Sequence, residues 1–155
     1  MGLDKLSQLY RTILLDYAAH PKYAQPLEIL DQEVRLINHN CGDQVTLQVK
    51  FADDEGSEMV KIDQIACLAI GCTIFQASSA IMTEQGLGKK LSDVTKMKAA
   101  FYQMLEGQDL AEDDKKKLGD ATLLAGVSQF PARIKCAALP WQAVAEAIER
   151  KQEGK

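Results

Sequence analysis

The sequence predicts an α+β fold in which a small three-stranded antiparallel sheet packs against several helices. Three observations predict it. Apolar residues alternate with period two only in the first half, most cleanly at Val45, Leu47, Val49 and Phe51. After Gly71 the apolar period becomes helical and stays so. Strands grouped first with helices grouped later mark an α+β chain rather than alternating βα units. The 155 residues are read as a single domain, 1–155, at about 100–200 residues per domain.

Each element has its own signal. Residues 3–20 carry Leu6, Leu9, Tyr10, Ile13, Leu14 and Tyr17 at three- and four-residue steps, one apolar stripe on a helix. His20-Pro21 ends it, because a residue before proline avoids the helical region. After a loop with Pro26, Glu33–Ile37 and Gln44–Phe51 read as strands, and Asp53-Asp54-Glu55-Gly56-Ser57 as a hairpin-like turn. Met59–Leu68 reads as the third strand. Val60 and Ile62 are out of phase with Ile65 and Cys67, and a bulge or bend near Asp63-Gln64 reconciles them.

Thr73–Leu87 is expected to be a helix with Gly86 and Gly88 at its end. Ser92 and Asp93 are expected to cap a second helix running towards Gly107. The charged run from Glu112 through Lys115-Lys116-Lys117 reads as a solvated face, and Asp120 as the cap of Ala121–Val127. Pro131 opens a segment holding Arg133, Lys135 and Cys136. Pro140 is expected in the first turn of a last helix, Trp141–Arg150, whose Trp141, Val144, Ala145 and Ile148 face the sheet.

Composition narrows the function classes. With 46% apolar residues, a chain of this length buries roughly 70% of its unfolded surface and needs no disulfide staple. Lys and Arg number 18 against 22 Asp and Glu, a net charge of −4. That balance argues against a nucleic-acid partner, which requires clustered cations. There is no long apolar run for a membrane span, and charges interrupt the N-terminal segment where a secretory signal needs an apolar core. A cytoplasmic location is expected. Thiols stay reduced there, so Cys41, Cys67, Cys72 and Cys136 read as metal or sulfur chemistry before disulfides.

Cys41 lies in the loop between the first two strands, Cys72 where the third strand passes into a helix, and Cys136 just before the last helix. In a meander the first loop and the exit of the third strand share one end of the sheet, so Cys41 and Cys72 can meet. A thiol at a helix N-terminus is favoured as thiolate, which suits a ligand or a nucleophile. Asp43 adds an oxygen two residues from Cys41, with Gly42 letting the loop turn. Three thiolates and a carboxylate can hold zinc, and the same donors suit iron or an iron–sulfur cluster. The carboxylate is the more exchangeable donor.

The plainer alternatives stand beside these readings. The long irregular gaps are not a zinc-finger signature, and no CxxC pair is present. Cys67, in an apolar strand, reads as core, with replacement of Asp43 as fourth ligand the alternative. His20 and His39 read as loop or surface residues, His39 with a role at the site only through its nearness to Cys41. Arg133 and Lys135 are ordinary surface charges, or cations that stabilise a thiolate or persulfide at Cys136.

Taken together, the motifs resemble the U-type iron–sulfur cluster assembly proteins (IscU/NifU N-terminal-like), most of all the zinc-binding SufU branch. Leu9-Tyr10, Ile13, Asp16 and Pro21 fit the opening helix, and Asn40-Cys41-Gly42-Asp43 the first ligand motif. Gly71-Cys72-Thr73-Ile74 with Ala77-Ser78 fits the second. The stretch from Gly126 to Ala137, with Trp141, fits the third and most specific one. The long segment between Cys72 and Cys136, and Lys135 where the scaffold branch usually has histidine, fit the inserted subtype. Phe75, Ala80, Cys67 and His39 depart from the pattern.

The resemblance implies that Cys41, Asp43, Cys72 and Cys136 converge on one metal, zinc, or alternatively hold an iron–sulfur cluster. It implies a cysteine desulfurase as partner, with downstream cluster-assembly proteins as recipients. Cys41 would accept sulfur as a persulfide in a sulfurtransferase-like step, and Arg133 would contact the desulfurase. A scaffold on which a cluster is built and handed on is the rival function, and zinc as a mere structural staple is the third.

Overall fold

A computed structural model describes residues 3–39, 42–52 and 60–154, without the side chains of 3–7 and 9. The elements run α1 (Leu3–Ala19), β1 (Gln32–Asn38), β2 (Asp43–Ala52), β3 (Lys61–Ile70), α2 (Thr73–Gly86), α3 (Leu91–Leu105), α4 (Glu112–Leu118), a 3-10 segment (Gly119–Gln129) and α5 (Pro131–Gln152). The three strands form one antiparallel sheet in the order β1-β2-β3. The α+β expectation therefore holds. The predicted turn at 53–57 lies outside the described residues.

β2 explains the sheet. Its odd-numbered residues Asp43, Val45, Leu47, Val49 and Phe51 are all buried, and their neighbours are not. Opposite them, β3 needs the bulge its sequence calls for. Lys50 pairs with Gln64 but Phe51 pairs with Ile62, so Asp63 is the extra residue. Both Ile62 and Ile65 are thereby turned inward.

The outer edge of β3 is covered by other backbone. Cys67 N–H donates to Tyr23 O (2.8 Å), and Ile62 exchanges hydrogen bonds with Lys89 O (3.0 Å) and Gly88 N–H (2.8 Å). Leu91 N–H donates to Val60 O (3.1 Å). This last bond gives α3 its start. The helix begins at Leu91 with Lys90 before it, not behind a Ser92 or Asp93 cap, because the carbonyl of Val60, just before β3, satisfies the first N–H.

α2 and α5 cover the inner face of the sheet, and α3 packs against α5. Phe101 of α3 and Trp141 of α5 stack within the core, their centroids 4.6 Å apart and planes at 21°, and share that core with the fully buried Phe75, Leu47, Ile62 and Ile81. α1 packs on α2 through Ile13, Leu14, Tyr17 and Ala18. Tyr10, expected in that stripe, is 45% exposed and lines a surface groove with Met104 and Leu123. Asp120 is no helix cap. Its carboxylate accepts the Tyr17 hydroxyl and ties α1 to the 3-10 segment.

The largest departure is α5. It begins at Pro131, so Cys136 lies inside the helix and Pro140 in its middle rather than in a first turn. An internal proline costs about 3 kcal/mol. The cost is offset by a continuous apolar face of Cys136, Ala137, Pro140, Trp141, Ala143, Val144, Ala147 and Ile148, all buried. Among the described residues no helix is long and apolar enough to cross a membrane.

Candidate metal centre

Three elements meet at one end of the sheet. β2 opens with Asp43, whose place on the core-facing phase leaves its carboxylate fully buried. α2 is preceded by Cys72 in extended conformation at the N-cap. α5 brings Cys136 from its second turn, buried on the helix's inner face. One carboxylate oxygen and the two Sγ atoms all lie within 4.8 Å of one another. Cys41 lies outside the described residues.

The two oxygens of Asp43 are used differently. Oδ1 accepts the backbone N–H of Cys72 at 3.1 Å, so the start of α2 holds the carboxylate. Oδ2 is buried with no hydrogen-bond partner. An orphaned carboxylate oxygen beside two thiols is costly unless a cation completes it. Donors at about 2.0–2.3 Å from one tetrahedral ion sit roughly 3.3–3.8 Å apart, so this set fits zinc and leaves room for a fourth ligand.

Gly71 makes the approach possible. Extending the β2–β3 register beyond Gln44↔Ile70 sets residue 71 against Asp43. A Cβ there would overlap Asp43 Oδ1 and come within 2.8 Å of the Phe75 ring.

Arg133, one helical turn before Cys136, reaches both sulfurs from the solvent side. Its guanidinium is held above its ordinary range first by the charge of Cys72, then by that of Cys136 and by hydrogen bonds to both. The Cys136 thiol itself points at Ala132 O, 3.8 Å away. Lys135 is exposed. With Ile37, His39, Tyr102 and Gln142 it lines an open groove of about 640 Å³.

Cys67 stands apart. It pairs with Leu47 in the middle of the sheet, about 13 Å along the strand from Gly71 at ~3.3 Å per residue. It is 6% exposed and backs a cavity of about 280 Å³ with Tyr23 and Ser79. Burial pushes its thiol up to about 12, against an opposing hydrogen bond with Ser79. This is a core cysteine, and it is not part of the three-donor cluster.

Two contributors were not singled out from sequence, the space left by Gly71 and the Cys72 N–H. The first had a signal, a glycine wedged between strand and cysteine. The second needs the packed structure.

Comparison with known proteins gives a consistent picture. The family model described as "NifU-like N terminal domain" matches residues 9–137. The "Iron-sulfur cluster assembly scaffold protein IscU" of Streptococcus pyogenes serotype M1 is 41% identical over 150 residues, covering 97% of this chain and 89% of that protein. The "Zinc-dependent sulfurtransferase SufU" of Bacillus subtilis (strain 168) is 34% identical over 152 residues, covering 96% and 95%. Among solved structures, an iron–sulfur cluster assembly scaffold protein for the SUF system from Fervidobacterium islandicum AW-1 superposes with a TM-score of 0.78. It is 29% identical, covering 88% of this chain and 93% of that one.

Proposed function

The chain belongs to the NifU-like N-terminal domain family of U-type iron–sulfur cluster assembly proteins, and from that premise we propose that it is a zinc-dependent sulfur acceptor and transfer protein. Its sulfur donor is a cysteine desulfurase, and its products go to downstream cluster assembly. The observation that carries this reading is the buried Asp43 Oδ2, unpartnered beside the thiols of Cys72 and Cys136. Two soft donors and one hard, weaker one suit a site that must release a ligand during turnover. The zinc-dependent relative supports the same assignment.

Cys41, Asp43, Cys72 and Cys136 would hold the ion. When bound, zinc would keep its cysteine donors as thiolates near neutral pH. The Cys41 thiolate attacks the outer sulfur of the desulfurase persulfide. A new S–S bond forms, the old one breaks, and the desulfurase cysteine leaves as thiolate. No external oxidant or reductant is needed. Asp43 stays anchored through Oδ1 on the Cys72 N–H, and Arg133 sets a positive charge beside the anionic sulfurs.

The purified protein should carry close to one zinc per chain and raise desulfurase turnover with cysteine. Cys41→Ala should abolish that gain, and unchanged turnover would remove Cys41 from the acceptor role. The scaffold reading is favoured by the 41% identical relative. It predicts instead that anaerobic iron and sulfide yield a stable chromophore that can be passed to an apo-acceptor.

A further inference from the structure

Cys72 precedes α2 and Cys136 rides on α5, so the separation of their sulfurs depends on how these two helices pack. Ser78 is fully buried between them. Its Oγ donates to the carbonyl of Ala137 at 2.6 Å, and Ala137 is the residue after Cys136. The neighbouring hydroxyls of α2 do something else. Ser79 Oγ donates to Phe75 O (2.9 Å) and Thr83 Oγ1 to Ala80 O (2.7 Å), both within their own helix.

A buried serine in mid-helix is a poor choice on propensity alone, where alanine is better and carries no polar group to satisfy. α5 also carries an internal proline, Pro140, three residues beyond the carbonyl on which the Ser78 bond lands. Pro140 has no N–H to give the carbonyl of Cys136, so the helix lacks that rung. The backbone around Cys136 is therefore braced from outside its own helix.

We infer that Ser78 is a positioning residue of the metal centre, its hydroxyl fixing the α5 backbone at Cys136 at the distance from Cys72 that one ion requires. The inference rests on the metal-centre reading.

Ser78→Ala and Ser79→Ala form the test, since each removes one buried hydroxyl from adjacent positions. Zinc affinity is measured by chelator competition, the ligand field by cobalt(II) absorption, and metal-free stability by denaturation. Ser78→Ala is expected to weaken zinc roughly 10–100-fold, the range for residues that support metal ligands, and to shift the cobalt bands. Ser79→Ala is expected to match the parent in both. Ser78→Thr keeps the donor and should retain the parent cobalt spectrum. Equal affinity and identical spectra for the two alanine variants would overturn the inference, as would an altered spectrum for Ser78→Thr. A parent protein that binds neither ion would instead sink the metal-centre reading.

Discussion

Gly71 and Asp43 illustrate how one missing Cβ decides the chemistry of a neighbour. Because a methyl group on residue 71 would occupy the position of Asp43 Oδ1, Gly71→Ala should push the carboxylate off the Cys72 N–H. We expect the metal-free protein to lose about 1–3 kcal/mol through overpacking, and zinc affinity to fall at least tenfold, read by denaturation and chelator competition. Cys67 gives a second residue-scale expectation. The unfolded chain releases its thiol proton near the ordinary cysteine value of 9.0, while the folded chain holds it to about 12. Between those values the folded state binds more protons, so stability falls as pH rises through that window and is unaffected below it. Urea melts at pH 8 and pH 10.5 should show a smaller drop for Cys67→Ala than for the parent. An equal drop would assign the loss to other groups.

The elements show which signals local sequence carries. Alternation in β2 and the phase break in β3 are visible without a structure, and Asp63 is the bulge residue that the break requires. Deleting Asp63 alone should leave Ile62 and Ile65 two positions apart and both inward, whereas deleting Asp63 and Gln64 together should force Lys61 and Ile62 to exchange faces. Exposing Ile62, now fully buried, should cost about 3 kcal/mol or more once the loss at Val60 is added, measurable as a fall in the denaturation midpoint. The helices were less legible where tertiary partners replace local ones. α3 starts on the Val60 carbonyl, just before β3, instead of a side-chain cap, and Asp120 gives its carboxylate to Tyr17. α5 runs through Pro140 because its buried face outweighs one lost hydrogen bond. In each case the decisive partner is more than two dozen residues away in sequence, or the competing term is burial that a local window does not contain.

At the scale of the whole molecule, the candidate centre is an outcome of the fold and not its foundation. The core from Val34 to Ile148 is continuous, and of the three donors only Cys136 belongs to it, with Cys72 packed against its edge. Removing metal with a chelator should therefore leave the far-ultraviolet circular dichroism and a cooperative thermal transition in place, with Tm lowered. Collapse to an unfolded chain would identify zinc as a structural staple. The convergence of Cys72 with Asp43 followed from strand order, which places the end of β1, the start of β2 and the end of β3 together. Cys136 was legible as a candidate but not its place within a helix.

The three donors are numbered 43, 72 and 136, and each is carried by a different element. A nascent chain leaving the ribosome thus displays a carboxylate and one thiol long before the second thiol exists. Even a finished chain lacks the trio until α5 has docked on β1 and β2. Ion capture at such a site would consequently be a late event: a chain presents all three donors together only after α5 has docked, and a stalled or truncated one would compete poorly for the ion.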